Sequence, residues 1–157
     1  MNNSDPPPLR LIAPPPVMYI GALLVGVAIH LLTPIAIFPA TYPHEILGGV
    51  LLVLSGAFAR WAFLTMRRLG TSANPTKPSE ALVTGGPFRI SRNPIYVAMT
   101  GLYLGLTLLI NSAWLLMLLA PLLMLMQWGV ILREERYLAG KFGNEYTAYR
   151  SKIRRWL

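Results

Sequence analysis

The sequence contains no cysteine and only two histidines, His30 and His44. The missing thiols exclude disulfide bonds, thiolate chemistry and cysteine-based metal sites. The two histidines lack the spacing of a metal motif, and none follows residue 44. We therefore predict no metal site and no Ser-His-Asp triad, so any chemistry must depend on other side chains.

Charged side chains are also scarce. They make up 13% of the 157 residues, whereas hydrophobic residues make up 54%. Soluble domains carry about 25% charged residues, so the deficit indicates that lipid forms part of the solvent. The net charge is +8, but the basic residues flank apolar segments. That placement is typical of contacts with anionic headgroups, and we predict membrane lipids rather than nucleic acid as partners.

Four long apolar runs are visible, at residues 17–38, 46–66, 95–110 and 113–132. Because a helix needs about 20 residues to cross the hydrocarbon core, we predict about four transmembrane helices. Asn111 and Ser112 alone separate the last two runs, which predicts a tight hairpin, and Pro34 and Pro121 are expected to kink their helices. The expected fold is a single all-α integral membrane domain over residues 1–157, with an interfacial helix at its C-terminal end.

Lysine and arginine are distributed unequally among the connections. Residues 39–45 and 111–112 contain none, whereas residues 67–94 contain five and the tail after residue 132 contains seven. Basic residues stay on the cytoplasmic side of a membrane. We therefore predict that both termini and the connection at 67–94 are cytoplasmic, and that the membrane is the bacterial inner membrane.

The first informative stretch runs from Leu82 to Tyr96 and is rich in glycine, proline and arginine. Pro94 suits the first turn of the third helix, because its missing N–H is not needed there. Arg92, Asn93 and free backbone N–H groups would then lie at a helix N-terminus, which favours anions. On this stretch alone, a basic interfacial loop before an ordinary helix is the simpler interpretation.

The second stretch follows the fourth apolar run. Glu134 and Glu135 are adjacent and point about 100° apart on a helix, so we expect only one, Glu135, to face inward. The other should pair with flanking bases. Phe142, Tyr146 and Tyr149 recur at i, i+4 and i+7, which predicts one aromatic stripe. A surface helix with tyrosines at headgroup level would explain the stripe by itself.

Together the two stretches resemble the isoprenylcysteine carboxyl methyltransferase and phospholipid methyltransferase superfamily. The matching pieces occur in the order Leu82-Val83, Gly86-Pro87-Phe88-Arg89, Arg92-Asn93-Pro94-x-Tyr96, Glu134-Glu135, Phe142-Gly143, Tyr146-x-x-Tyr149 and Arg154-Arg155-Trp156. The resemblance covers about residues 60–157, and earlier residues match only as generic membrane helices. Many members have histidine where this chain has Asn93, which cannot titrate near neutrality. A proton-transfer role at that position is lost, whereas a positioning role survives.

The resemblance implies a methyltransferase that binds S-adenosylmethionine within about residues 82–157 and accepts a lipophilic substrate from the bilayer. The implied cofactor-binding residues are Gly86, Pro87, Arg89, Arg92, Asn93, Pro94, Tyr96, Glu134, Glu135, Tyr146 and Tyr149. The implied catalytic residues are Arg92, Asn93, Glu135 and Arg150. In this assignment arginine holds the cofactor carboxylate, a glutamate holds its ammonium or ribose, and tyrosines face adenine or the sulfonium.

Two other interpretations stay open. A lipid-binding or scaffold protein without turnover would explain Asn93 in place of histidine. An NADPH-dependent membrane reductase has a distantly similar C-terminal region, although the sequence lacks a Gly-x-Gly-x-x-Gly fingerprint. The acceptor stays open among a fatty acid, an isoprenoid, an amine lipid and a thiol. The small-xxx-small spacing of Gly101 and Gly105 is compatible with a homodimer.

The charge distribution generates a topology prediction. Reporter fusions after Thr41 and after Ser112 should read as external, because their connections contain no lysine or arginine. A fusion after Leu157 should read as cytoplasmic. A cytoplasmic signal at Thr41 or Ser112 would overturn the orientation.

Overall fold

The structure, a computed structural model, describes residues 13–71 and 81–157, and within these ranges every regular element is helical. The long helices are α1 (Pro15–Leu32), α2 (His44–Arg68), α3 (Pro94–Ile110), α4 (Ala113–Met126) and α5 (Leu132–Lys152). A short 3₁₀ turn at Gly86–Arg89 precedes α3, and a π-helical turn at Gln127–Ile131 joins α4 to α5.

Three helical runs are long and apolar enough to cross a membrane: α1, α2 and the continuous run from α4 into α5. The 17 residues of α3 form a shorter apolar helix. Large apolar side chains on these helices are exposed, for example Leu32 at 83% and Val53 at 72%. Extensive exposed apolar surface fits a lipid environment. The predicted all-α membrane fold is confirmed.

Glycines bring α2 and α3 into close contact. A Cβ on Gly48 would lie 2.8 Å from the Gly105 carbonyl oxygen, and one on Gly105 would lie 2.7 Å from Leu52 Cδ2. A Cβ on Gly101 would overlap the Ser55 hydroxyl. Small residues permit this approach of helix backbones. Gly101 and Gly105 are thus used within the chain, and their spacing no longer supports a homodimer.

Asn111 organises the connection between α3 and α4. Its backbone is left-handed, with φ 53°, and the Ser112 N–H donates to the Thr107 carbonyl, which closes α3 in a Schellman-type cap. The Asn111 side-chain oxygen accepts from the N–H groups of Ile37 and Phe38 at 3.0 and 2.9 Å. One side chain therefore ties the α1–α2 connection to the α3–α4 connection.

Proline positions correct part of the predicted helix map. The first helix ends at Leu32 rather than near Phe38, and Pro34 follows that end instead of kinking the helix. Thr33 precedes the proline and has φ −139° and ψ 80°, because a residue before proline is disfavoured in helical conformation. Pro121, by contrast, does lie inside α4.

The helix contact predicts a difference between two neighbouring glycines. Gly48→Ala should destabilise the protein by about 1–3 kcal/mol, because its methyl would meet the backbone of α3. Gly49→Ala is the matched control, since a Cβ there meets nothing within 4 Å. It should leave stability unchanged or raise it by about 0.5–1 kcal/mol through helix propensity. Thermal unfolding in one detergent measures both, and equal effects would contradict the interlocking of α2 and α3.

Candidate functional site

A polar cavity lies where the loop before α3, the end of α2 and α5 meet. Apolar side chains, among them Met66, Val83 and Phe88, form part of its wall. Its polar lining consists of Thr71, Arg92, Asn93, Glu134, Glu135, Tyr146 and Tyr149. The cavity volume is about 60 Å³, whereas small-molecule sites usually occupy about 300–1,000 Å³. The cavity is therefore narrow and has room for a few water molecules.

Glu135 connects the segments that surround the cavity. Its side chain is buried, and Arg155 binds it through two parallel hydrogen bonds of 2.8 and 2.9 Å. Arg92 Nη1 lies 3.0 Å from Glu135 Oε1, so two guanidinium groups share one carboxylate. Bidentate arginine–carboxylate pairs are among the stronger hydrogen-bonded contacts. This cluster links the loop before α3, α5 and the tail that follows α5.

The Arg92 side chain contains a buried donor that the cluster does not use. Its side chain is only 9% exposed, and Nη1 also donates to the Tyr146 hydroxyl at 3.3 Å. Its buried Nε–H finds no acceptor among the described residues. An unpaired buried donor is costly and calls for a reason. An anionic oxygen from a bound ligand would satisfy it.

Glu134 is held differently from its neighbour. Its Oε2 accepts a hydrogen bond of 2.8 Å from the Tyr96 hydroxyl, and no arginine or lysine of the described chain lies within ion-pair distance. The apolar run of residues 113–132 ends where α5 begins, so Glu134 lies just beyond that run. Burial raises the pKa of Glu134, and the nearby Glu135 raises it further. Among the described residues, Glu134 is thus bonded to a neutral phenol, whereas Glu135 is bonded to two arginines.

The prediction that only one glutamate faces inward is wrong, since both line the cavity. Glu134 also does not pair with the flanking bases, because it is bonded to Tyr96. The π-helical turn at Gln127–Ile131 lies one residue before α5 and departs from regular α-helical spacing. Glu134 and Glu135 point in different directions from α5, yet both side chains form part of the cavity wall.

The tail after α5 folds back onto the loop before α3. The Arg92 N–H donates to the Arg154 carbonyl at 2.9 Å, and the Arg155 carbonyl accepts from Ser91 Oγ at 3.1 Å and Asn93 Nδ2 at 2.9 Å. Trp156 Nε1 donates to Gln127 Oε1 at 3.3 Å. Asn93 therefore positions the tail through an amide, which needs no titratable group. Ser91 and the bonding role of Arg155 were not predicted from the sequence.

The predicted aromatic stripe is interrupted. Gly143 has φ 51° and ψ −121°, so the helical phase breaks between Phe142 and the two tyrosines. Tyr146 and Tyr149 lie with ring centroids 6.4 Å apart, and Tyr149 donates 2.7 Å to the Phe88 carbonyl. Burial raises the pKa of both phenols, which keeps them protonated as donors near neutrality. These tyrosines line the cavity, and Phe142 does not.

Several predicted site residues lie outside the cavity. Gly86 has φ 58° and packs against Thr65, so it forms the turn before α3. Pro87 and Pro94 are buried in that turn and in the first turn of α3. Arg89 and Arg150 are exposed and do not line the polar cavity. The structure brings together Arg92, Asn93, Glu134, Glu135, Tyr146 and Tyr149.

Fold and site define a helical integral membrane protein with a narrow cavity lined by charged side chains. Residues 43–145, more than half of the chain, match the family model for phospholipid methyltransferase, and the chain belongs to this family. A stretch of 27 residues is 63% identical to an uncharacterized protein from Haemophilus influenzae. It makes up 17% of this chain and 43% of that protein, so this chain covers less than half of that relative.

The different bonding of the two acids predicts different effects on stability. Glu135→Gln should destabilise by about 3–5 kcal/mol, because Arg92 and Arg155 would lose their shared counter-charge. Glu134→Gln should cost little, since the amide oxygen can still accept from Tyr96. Denaturant unfolding in matched detergent measures both variants. An equal loss in the two variants would contradict the separate roles.

Glu134 also predicts a pH dependence. Its raised pKa means that the folded protein holds this proton more tightly than the unfolded chain does. Ionisation of Glu134 therefore lowers stability as pH rises above the pKa of an exposed glutamate, about 4.3. Glu134→Gln removes this loss, so its Tm relative to the wild type should rise between acidic and neutral pH. A constant difference in Tm across that range would refute the assignment.

Proposed function

We propose that the protein transfers a methyl group from S-adenosylmethionine to a lipid-like acceptor. One observation carries the proposal: a buried Arg92 N–H without an acceptor among the described residues and the phenol-bonded carboxyl group of Glu134 line the same cavity. A ligand with an anionic and a cationic group complements both. Membership of the phospholipid methyltransferase family supports methyl transfer as the reaction.

The residues of the cavity fit the cofactor group by group. Arg92 Nε–H would receive its carboxylate, and Glu134 would face its ammonium or sulfonium. Phe88, Tyr146 and Tyr149 offer aromatic surface for the adenine ring. When bound, the cofactor supplies an electrophilic methyl group that leaves sulfur by in-line displacement. The chain supplies alignment and exclusion of water, and this chemistry requires no metal.

Glu134 would respond to the charge of its ligand. Burial favours its protonated form in the closed cavity, and a cationic ligand favours the ionised form. Binding of a cation beside Glu134 would therefore release a proton from the carboxyl group, and the Tyr96 hydroxyl would remain as a donor to the carboxylate.

The cavity must open to admit a nucleoside-sized ligand, because about 60 Å³ is too small. Beside the cavity, the Arg92 N–H and Asn93 Nδ2 of the loop before α3 donate to the carbonyls of Arg154 and Arg155 in the tail. We expect that these contacts part when the cofactor enters. Closing them again around the ligand would exclude water from the reacting atoms.

An apolar cavity offers a place for the acceptor. It lies between α2 and α3, has a volume of about 680 Å³, and is lined by side chains such as Leu54, Phe58 and Leu104. Trp156 and Leu157 of the tail also line it. Its size and apolar lining suit a hydrocarbon chain. Because Trp156 follows Arg155, adjacent residues of the tail contact the apolar cavity and the Glu135 cluster.

The proposal predicts cofactor binding that depends on Arg92. S-adenosylhomocysteine should raise the Tm of the detergent-solubilised protein by mass action. Arg92→Ala should weaken its affinity about 10- to 100-fold, because a hydrogen bond to a charged group contributes about 1.5–3 kcal/mol. Arg89→Ala is the control of equal charge, since Arg89 is exposed and does not line the cavity. Calorimetric titration measures the three affinities.

Four results would count against parts of this proposal. Absence of any thermal shift with millimolar S-adenosylhomocysteine would remove the cofactor, and a shift with NADPH alone would favour a reductase. Binding without transfer of labelled methyl groups from S-adenosylmethionine into an organic extract of membranes would favour a scaffold. An unchanged affinity in Arg92→Ala would exclude this arginine from the site.

A further inference from the structure

A second charged cavity lies beside α5. It has a volume of about 310 Å³ and is lined by Leu132, Glu135, Arg136, Ala139, Arg150 and Arg155. We call it the basic cavity. Glu135 lines both this cavity and the polar cavity, so the two are neighbours across one side chain. The volume is within the range of small-molecule sites, about 300–1,000 Å³.

The basic cavity carries an excess of positive charge. Three arginines line it, against the single carboxylate of Glu135. That carboxylate already binds Arg155 with both oxygens and Arg92 with one. It therefore has little capacity left to neutralise Arg136 and Arg150.

Two of these arginines have donors to spare. Arg136 bonds only through Nε, to the Leu132 carbonyl at 3.2 Å, which leaves its terminal nitrogens without a partner in the described chain. Arg150 forms no hydrogen bond or ion pair with any described residue. Both side chains are exposed at the cavity mouth. The cavity thus presents two unengaged guanidinium groups beside a third.

We propose that the basic cavity binds a phosphate group. Guanidinium groups bind phosphate oxygens through pairs of parallel N–H donors. Three guanidinium groups around one cavity therefore favour an anion such as phosphate. The neighbouring Leu132 is the last residue of the apolar run, so the cavity lies at the level where lipid headgroups meet water. The phosphate is supplied by an anionic phospholipid or by free phosphate. The site stands on the arginines alone and does not depend on methyl transfer.

Paired double variants test the site. Arg136→Gln with Arg150→Gln removes the unengaged donors, whereas Lys152→Gln with Arg154→Gln removes the same charge from exposed positions that do not line the cavity. In detergent, inorganic phosphate should raise the Tm of the wild type above chloride at equal ionic strength. The first double variant should lose about tenfold or more in phosphate affinity, and the second should keep the wild-type value.

A lipid arm identifies the source of the phosphate. Mixed micelles with phosphatidylglycerol should stabilise the wild type and the Lys152/Arg154 variant, and should stabilise the Arg136/Arg150 variant much less. Stabilisation by lipid without any effect of inorganic phosphate assigns the site to a headgroup, and the reverse assigns it to free phosphate. Equal responses of both double variants in both arms would overturn the site. A parallel titration with S-adenosylhomocysteine keeps this outcome separate from the fate of the methyltransferase proposal.

Discussion

The carboxylate of Glu135 is the contact on which the site depends. It is buried and shared by Arg92 from the loop before α3 and Arg155 from the tail. Taking the charges of Glu135 and Arg92 out of water is expensive, and ionic attraction offsets this cost only with good geometry and complete hydrogen bonding. The parallel bonds to Arg155 meet that condition. Segments far apart in sequence are thereby held at fixed positions around one small volume.

Glu134 and Glu135 have different electrostatic roles because their surroundings differ. Glu135 is compensated from within the chain, so it serves structure whether or not a ligand is present. Among the described residues, the carboxyl group of Glu134 is bonded only to the Tyr96 phenol, and burial raises its pKa. It could therefore still pair with a cationic group of a ligand. Arg92 belongs to both roles, since one of its nitrogens supports Glu135 and another is left free. This uneven pairing is the basis of our proposal that the cavity binds a zwitterion.

The helices were predictable because hydropathy is a local signal, and so were Arg92 and Glu135 as members of one site. Arg155 and Ser91 were not, since their bonds join residues 20 and 64 positions apart and leave no periodic trace in the sequence. The aromatic spacing assumed an unbroken helix, which Gly143 interrupts with a positive φ. The position of both glutamates in the cavity wall likewise depends on the three-dimensional packing around α5, which no local sequence pattern describes. The sequence pattern thus pointed to residues that line one cavity but not to the contacts between them.

The interlocked backbones of α2 and α3 decide where motion is available. At Gly48 and Gly105 the helices approach so closely that even a methyl group does not fit between them, which leaves little freedom to slide or separate. We therefore expect α2 and α3 to move little relative to each other. Any movement that admits a bulky ligand would instead involve the loop before α3 and the tail, because these segments are joined by polar bonds that water or a ligand can replace.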